Sequence, residues 1–378
     1  MRFTAQQKNL SKELELLQSV AGRKTTVIPT LNGILVKAEA DKLTLTAMDT
    51  EVSITTTCPI NPLDTIPGEF ILPAKRLNDV VKNFDNIPVA FELQENNRMQ
   101  MICGKSKYNL AGEKAEKFPT VPNLEEYTAS IPVRSLIGHI ERTKFGIPKE
   151  EIRQSLKGLQ LIVDNHQLTT LSVDGHKMPV AISNVTFPDK LDMVIPNGSL
   201  DELQKLLSDA SESTNGNEES KPIIWLGKTE NRLFFKLGDR IMSSRMLAGS
   251  LPDHRTLFPK SNDKIITVSV DALRRATKRA IAMADRKSPK LNLNIVNGEI
   301  SINTESDAGS AGEKVSADSN GIDMNVAFSA DNLIPCLDGI KTDKMTIELS
   351  TPEMPVLLKP VNDEGFQYVC LIVPLRLI

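Results

Sequence analysis

Hydrophobic and polar positions form one compound pattern that occurs three times along the chain. In each copy an apolar strand end is followed by a short break and an amphipathic helix, within residues 70–84, 193–207 and 326–340. Upstream of each helix the alternation of apolar and polar residues predicts two strands joined by a polar turn, within 33–54, 158–182 and 290–303. A repeat of about 130 residues predicts three copies of one domain.

A further helix is predicted near the start of each copy, over residues 6–19, 133–143 and 270–284. In the first of these, Leu10, Leu14 and Leu17 form one apolar stripe. Period-two alternation or short β-rich runs predict further strands at 43–47, 89–93, 168–172, 232–237 and 345–349. The expected fold class is α+β, with three tandem domains that each hold two helices and antiparallel sheets.

Proline and polar residues collect at 117–122 and 251–259, where we expect connectors between domains. The predicted domains are therefore 1–122, 123–254 and 255–378. Two stretches poor in apolar residues, 208–220 and 304–320, are predicted to be external loops.

Composition is that of a soluble globular protein, with 40% hydrophobic and 25% charged residues in 378. No apolar run approaches the roughly 20 residues that span a bilayer, and the N-terminal residues lack the apolar core of a signal peptide. We expect a cytoplasmic protein without a membrane partner. The four cysteines form no CxxC motif and are expected to be buried free thiols.

Positive charge concentrates on the predicted helices, although the net charge is −3. Residues 270–284 carry Arg274, Arg275, Lys278 and Arg279, and the second repeat contributes Arg134 and Arg142. This recurrence predicts a surface that attracts phosphate without reading bases, while the alternative is a set of solvated helix faces. With 4% aromatic residues, the chain has too few stacking platforms for single strands, so duplex contacts fit better.

Motifs of enzymes are missing from the sequence. The four histidines lie far apart without metal-ligand spacing, and there is no phosphate-binding glycine loop or nucleophile elbow. One segment, Asp174, Gly175 and His176, has the composition of a turn that presents an imidazole beside a strand end, but a plain turn explains it equally well. We expect no enzyme activity, no catalytic residue, no metal and no cofactor.

Several short motifs in a fixed order resemble the bacterial sliding clamp, the β subunit of DNA polymerase III, over essentially the whole chain. They are GR at 22–23, PTL at 29–31, LTLTAMD at 43–49, FILPAKRL at 70–77, FP at 118–119, LKG at 156–158, VDGHK at 173–177, LPD at 251–253 and VPLRL at 373–377.

The resemblance implies a ring-shaped, head-to-tail homodimer that encircles duplex DNA and slides on weak, screened phosphate contacts. It implies a hydrophobic pocket that tethers the DNA polymerase III catalytic subunit and, through the same pocket, other polymerases and repair proteins. An ATP-dependent clamp loader is implied as the partner that opens the ring.

Residue roles follow from the same resemblance. Partner peptides are expected to bind an apolar floor with a few polar groups, formed by Leu156, Val173, Gly175, His176, Lys177, Met178, Pro252, Thr256, Leu257, Asn332, Pro355, Val373, Pro374, Leu375, Arg376 and Leu377. The positions expected to approach DNA are Arg23, Arg153, Gln154, Arg275 and Arg279. The dimer interface is expected to pair Tyr108 and Leu110 of one chain with Ala282 and Met283 of the other.

The chain departs from the usual clamp pattern at the expected pocket. Val173 stands for a usual threonine, Lys177 for a usual arginine, and Thr256 for a frequent arginine. Asn332 replaces a frequent tyrosine, and Ser155 an aromatic residue found in some members. Because lysine lacks the planar fork of arginine, the polar contacts to a bound peptide are expected to differ.

Two other classes of protein remain open at this point. A monomeric repeat scaffold that binds peptides but not DNA would show the mass of one chain and indifference to DNA topology. An enzyme with a site spread over domain junctions would depend on His176.

Overall fold

The structure is a computed structural model, and it describes residues 1–22, 28–150, 153–186, 190–212, 222–249 and 251–376. The chain folds as two compact units. Unit 1 consists of Met1–Val133 and Gly198–Met246, and unit 2 of Arg134–Asn197 and Leu247–Ile378. The middle repeat thus contributes to both units.

Seven helices occur in the described residues. They are α1 (Gln7–Gln18), α2 (Ala74–Lys82), α3 (Val133–Thr143), α4 (Asn197–Glu212), α5 (His254–Leu257), α6 (Val270–Ala280) and α7 (Ala330–Gly339). Except for α5, each was predicted, and the boundaries of α3 agree with the prediction. The helix predicted over 270–284 is shorter, since a 3₁₀ turn, Ile281–Met283, follows α6.

The strands, in chain order, are β1 (Arg2–Gln6), β2 (Gly33–Glu39), β3 (Lys42–Met48), β4 (Val52–Pro59), β5 (Gly68–Pro73), β6 (Pro88–Gln94), β7 (Arg98–Cys103), β8 (Ser106–Ala111), β9 (Glu113–Lys114), β10 (Ala129–Pro132), β11 (Gly158–Asp164), β12 (Gln167–Leu171), β13 (Lys177–Asn184), β14 (Leu191–Pro196), β15 (Ile223–Lys228), β16 (Arg232–Leu237), β17 (Arg240–Arg245), β18 (Lys264–Ser269), β19 (Lys290–Val296), β20 (Glu299–Ser306), β21 (Gly309–Asp318), β22 (Met324–Ser329), β23 (Lys344–Leu349), β24 (Val356–Pro360) and β25 (Gln367–Ile372).

The strands pair antiparallel in three sheets. Unit 1 holds a four-stranded sheet, β1-β6-β7-β8, and a nine-stranded sheet, β10-β15-β16-β17-β4-β3-β2-β5-β9. Unit 2 holds a twelve-stranded sheet, β14-β11-β12-β13-β25-β24-β23-β18-β21-β20-β19-β22. The predicted α+β class with antiparallel sheets is confirmed.

Apolar helix faces pack on these sheets. The predicted stripe of Leu10, Leu14 and Leu17 on α1 is buried. In unit 2, α6 buries Leu273 and Ala276 in the main hydrophobic core, and the Ser269 hydroxyl caps its first turn by accepting from the Ala272 N–H at 3.3 Å. Among the described residues no helix has the length and apolar content that a bilayer span requires.

Two predicted external loops contain regular structure. Residues 208–212 belong to α4, and the rest of the stretch predicted to be a loop to 220 lies outside the described residues. Between 304 and 320 the chain forms a hairpin, with β20 and β21 paired from Glu299 opposite Ser316 to Ser306 opposite Gly309. Because backbone hydrogen bonds form this ladder, it needs little apolar surface, and Val315 is the single buried side chain of β21.

The segment predicted to be the second connector is also partly helical. Asp253 caps the short helix α5 by accepting from the Arg255 N–H at 3.1 Å. All four cysteines are free and buried, as predicted. Burial raises the pKa of the Cys58 thiol to about 12. The Sγ atoms of Cys336 and Cys370 lie 3.0 Å apart, which the sequence did not reveal.

Candidate functional site

A tight turn between β12 and β13 is held by the carboxylate of Asp174. One of its oxygens accepts from the N–H groups of His176 at 2.9 Å and Lys177 at 2.8 Å, and the other contacts the Lys177 ammonium group. Gly175 adopts a φ of +87°, which glycine reaches without a Cβ penalty. The Asp174 and Lys177 side chains are 12% and 9% exposed, so this turn is fixed by a mostly buried ion pair.

The terminal segment that follows β25 is hydrogen-bonded at two places. The N–H of Val373 donates to the carbonyl oxygen of His176 at 2.8 Å, and the N–H of Leu375 donates to Ala327 of β22 at 2.7 Å. Strand β25 pairs with β13, which places Leu371 opposite Met178. The terminal segment is thus brought to the Asp174 turn, as the assignment of both to one site requires.

An apolar cluster lies beside the turn in unit 2. Leu156, Val173 and Met178 are buried in it, and Val373 packs against it. The cluster also contains Leu251, Leu357 and Leu371, with Phe258 packed against it. Since Leu251 and Phe258 flank α5, this helix is tied to the same cluster.

The remaining residues assigned to the pocket differ in exposure. Leu257 on α5 is 41% exposed, a large hydrophobic side chain in contact with solvent. Six others are exposed or partly exposed, which leaves them accessible to a ligand: Gly175, His176, Pro252, Thr256, Pro355 and Arg376. Pro374 is buried, and Leu377 lies outside the described residues.

Asn332 is joined to the turn by its side chain. Its amide oxygen accepts from the Lys177 ammonium group at 3.1 Å, so Lys177 bridges Asp174 and the α7 helix. The two residues are separated by 155 positions in the chain, which explains why the sequence could not reveal this contact.

Two of the histidines lie in different environments. His139 is buried between Thr170 Oγ1 at 2.9 Å and Ser183 Oγ at 2.8 Å, and burial together with the nearby Arg142 lowers its pKa to about 3. His176, the candidate residue of the enzyme alternative, is exposed on the turn. Across the described residues, no group of three or more His, Cys, Asp or Glu side chains is placed to hold a metal ion.

Basic residues of the helices have more than one environment. Arg275 and Arg279 are exposed on α6, where they pair with Asp271 at 2.9 Å and with Glu313 through two hydrogen bonds of 2.9 and 2.5 Å. They line a cleft of about 350 Å³ together with Lys314. Arg153 and Gln154 are exposed beside a 3₁₀ turn, Gln154–Leu156, whereas Arg23 lies outside the described residues.

One basic residue that we counted toward a phosphate-attracting surface is buried instead. Arg142 forms a twofold hydrogen-bonded ion pair with Asp363, at 3.3 and 2.9 Å, and its guanidinium group lies 4.0 Å from the ring centre of Phe366. Both charged side chains are 8% exposed. Arg142 therefore joins α3 to the turn before β25 and does not contribute to an exposed basic face.

Three family models match successive parts of the chain. They are the N-terminal, central and C-terminal domains of the DNA polymerase III beta subunit, at residues 1–122, 130–253 and 255–375. The chain belongs to the DNA polymerase III β-subunit family. This confirms the resemblance and the fold class of three tandem clamp domains.

Curated relatives in this family carry the name Beta sliding clamp. Those of Bacillus subtilis and Pseudomonas putida are 29% and 27% identical to this chain, each over 100% of both sequences. The family consists of non-catalytic processivity factors that act with DNA and a polymerase.

Solved clamps have the same fold over their whole length. A DNA polymerase sliding clamp from Bacillus subtilis matches with a TM-score of 0.91 at 26% identity, and 100% of each chain is covered. A sliding clamp from Pseudomonas aeruginosa bound to griselimycin also matches with a TM-score of 0.91, at 25% identity and the same coverage.

The residues assigned to the dimer interface of a β clamp are divided between the two units, with Tyr108 and Leu110 in unit 1 and Ala282 and Met283 in unit 2. Tyr108 is 46% exposed on β8, the edge strand of the four-stranded sheet, and its ring packs 5.3 Å from that of Phe84. Leu110 on the same strand is 7% exposed and packs within its own chain. Ala282 and Met283 are exposed in the 3₁₀ turn after α6.

Proposed function

We infer that the chain works as a sliding clamp, a closed ring that encircles duplex DNA and keeps a polymerase attached to it. The observation that carries this inference is the peptide site of unit 2, where the terminal segment, the Asp174 turn and an apolar cluster meet in a chain of the β-subunit family. Because a closed ring leaves DNA only by opening or by sliding off an end, weak phosphate contacts are sufficient.

Partners of the peptide site are short hydrophobic segments. Leu257 offers an exposed apolar side chain, while Lys177 and Asn332 supply polar groups that fix the orientation of a peptide. We assign to this site the catalytic subunit of DNA polymerase III and, in competition with it, other polymerases and repair proteins. The griselimycin complex of the Pseudomonas aeruginosa clamp supports a ligand site on this fold.

DNA contacts in this proposal come from Arg23, Arg153, Gln154, Arg275 and Arg279. The structure supports Arg275 and Arg279 most directly, since both guanidinium groups are exposed on α6 and line one cleft. Their carboxylate partners lower the net charge of this surface, which suits a contact that must be weak enough to slide.

The dimer is proposed to form by pairing of two strand edges. In the part of the chain that the structure describes, β8 has one strand neighbour, β7. Strand β21 pairs with β18 only at Ala317 and Asp318, so its residues 309–316 also present a free edge. Two copies arranged head to tail would join β8 of one to β21 of the other, beside Tyr108 and Met283.

Several further assignments follow from the clamp function. We assign the three domains to residues 1–122, 123–254 and 255–378, which the boundaries of the family models support. The chain itself carries no catalytic activity, acts in the cytoplasm and has no membrane partner. An ATP-dependent loader opens the ring, and the ATP chemistry resides in the loader.

Binding of a fluorescent peptide with the hydrophobic residues of a replicative polymerase tail tests the peptide site. We expect saturable binding to the intact protein and loss of binding after deletion of residues 376–378, with the dimer unchanged at twice 41.7 kDa. Leu257→Ala should weaken binding about tenfold or more, because it removes an exposed apolar anchor. A deletion variant that retains full affinity would refute the site, and a one-chain mass would support a monomeric scaffold.

A further inference from the structure

A second cleft in unit 2 shares part of the proposed peptide site. It has a volume of about 540 Å³ and is lined by Asp174, Lys177 and Asn332 together with residues that have no assigned role. The latter are chiefly apolar: Phe145, Ile147, Ile334 and Pro335. We call it the Phe145 cleft.

Close packing against glycine holds one wall of the Phe145 cleft in place. A Cβ atom at Gly339, the last residue of α7, would stand 2.7 Å from the Phe145 ring, so glycine permits this ring to lie against the helix. A Cβ atom at Gly146 would stand 2.4 Å from Ser172 Oγ and 2.6 Å from Pro179. The loop after α3 therefore rests directly on the strands below it, and the cleft exists before any ligand binds.

The other wall includes a carbonyl oxygen that lacks its usual helical donor. Pro335 lies inside α7 and has no N–H group, so it cannot donate to the carbonyl oxygen of Asp331 as the helix geometry would otherwise require. Both residues line the cleft. The apolar walls of this cleft fit an apolar side chain of a ligand.

We propose that the Phe145 cleft binds an apolar residue that flanks the hydrophobic anchors of the partner peptide. This inference rests on the proposed function, because the occupant is the peptide of that site. Lys177 connects the two sites, since its ammonium group bonds Asn332 at 3.1 Å and both side chains line the cleft as well as the Asp174 turn. The cleft thus extends the peptide site and selects among partners by a residue outside the anchors.

Three kinds of fluorescent peptide test this assignment on the intact dimer. The first carries only the hydrophobic anchors, the second adds two leucines at one end or the other, and the third adds two serines there as a length control. We expect the leucine extension at one end to bind about fivefold tighter or more than the anchor peptide, because one side chain becomes buried. The serine extension should bind like the anchor peptide.

Two variants test whether the tighter binding of the leucine extension comes from the Phe145 cleft. Ile334→Ala should abolish the advantage of the leucine extension and leave the affinity for the anchor peptide unchanged. Pro335→Ala restores the N–H that bonds the Asp331 carbonyl and favours the helix, so it should reduce the same advantage without a loss of folding. Ile265→Ala, which shortens an isoleucine that is 47% exposed elsewhere in unit 2, is the matched control and should change neither affinity.

The outcomes separate this inference from the proposed function. Equal affinity for the leucine and serine extensions at both ends, with the anchor peptide still bound, overturns the cleft assignment alone. Equal weakening of all peptides by Ile334→Ala also overturns it, because the residue would then belong to the anchor site. Failure of every peptide to bind the intact protein overturns the proposed function and the cleft together.

Discussion

The N–H of Val373 donates to the carbonyl oxygen of His176 at 2.8 Å. Two residues later, the N–H of Leu375 donates to Ala327 at 2.7 Å. The backbone of the terminal segment is therefore bonded within the chain, while the side chains of Val373 and Leu375 remain partly exposed. A ligand can use these side chains without competing for the backbone bonds that hold them.

The Asp174 carboxylate should be required for the shape of this site. Asp174→Ala removes the acceptor for two N–H groups and leaves the Lys177 ammonium group, which is largely buried, without its counter-charge. We expect the free energy of unfolding to fall by about 2–4 kcal/mol. Urea unfolding gives the change in stability, and titration with the anchor peptide should show weaker binding.

His176→Ala is the control for that variant because the imidazole is exposed on the same turn. Its stability should stay within about 0.5 kcal/mol of the parent protein. An Asp174→Ala protein as stable as the parent would contradict the role given to this carboxylate.

The sequence predicted the turn but not its connections. The composition of residues 174–176 indicates a turn by local chemistry alone, since Asp bonds the following N–H groups and glycine accepts a positive φ. The contact of Lys177 with Asn332 depends on how α7 packs against β13, and no local pattern encodes that packing. Lys177 and Asn332, which both differ from the usual clamp pattern, are therefore neighbours in space.

Stability should decrease with acid because of His139. Its pKa in the folded chain is lowered to about 3, below the ordinary value of 6.5, so between these values the unfolded chain binds a proton that the folded chain excludes. Stability from this group is complete above about pH 6.5 and is lost as the pH falls toward 3, by at most about 1.4 kcal/mol per pH unit. Urea unfolding at pH 6.5 and 5 measures this loss.

His139→Gln removes the titrating group and keeps a polar side chain for Thr170 and Ser183. The parent protein should lose about 1.6 kcal/mol more than this variant between pH 6.5 and 5. Equal pH dependence of the two proteins would show that His139 is protonated in the folded state.

Arg142 shows where helix periodicity stops being informative. Its partner Asp363 lies 221 residues away, so the sequence could assign the charge to a helix but not to a buried pair. Strand β21, at 309–318, was missed for a related reason. This strand has few apolar side chains, and its pairing with β20 is formed by backbone hydrogen bonds that composition does not report.

Removal of one charge from the buried Arg142–Asp363 pair should strongly lower the free energy of unfolding. Asp363→Ala leaves the Arg142 guanidinium group buried without its carboxylate, and we expect a loss of about 3–5 kcal/mol in the free energy of unfolding. Glu113→Ala breaks the exposed pair with Lys117 and is the matched control, for which we expect no measurable change. Similar denaturation midpoints for both variants would refute the distinction between the two pairs.

Charge reversal on α6 should weaken DNA binding equally for all sequences. Arg275→Glu and Arg279→Glu each place a negative charge where a phosphate contact is proposed, so the slope of log affinity against log salt should fall by about one per contact. Binding to duplexes of unrelated sequence, measured over a range of salt concentrations, checks both expectations. Lys42→Glu, at an exposed hairpin turn of unit 1, serves as a control for net charge.

Glu313→Gln gives the opposite test. It replaces the carboxylate that accepts two hydrogen bonds from Arg279 with a neutral amide that has one acceptor oxygen. Because a negative charge beside Arg279 is removed, DNA binding should tighten. Because Gln keeps the size of the side chain, β21 should fold unchanged.

The charge-reversal variants also have an outcome that would contradict a sliding contact. It is a loss of binding confined to one DNA sequence after either Arg275→Glu or Arg279→Glu, since phosphate contacts carry no sequence information.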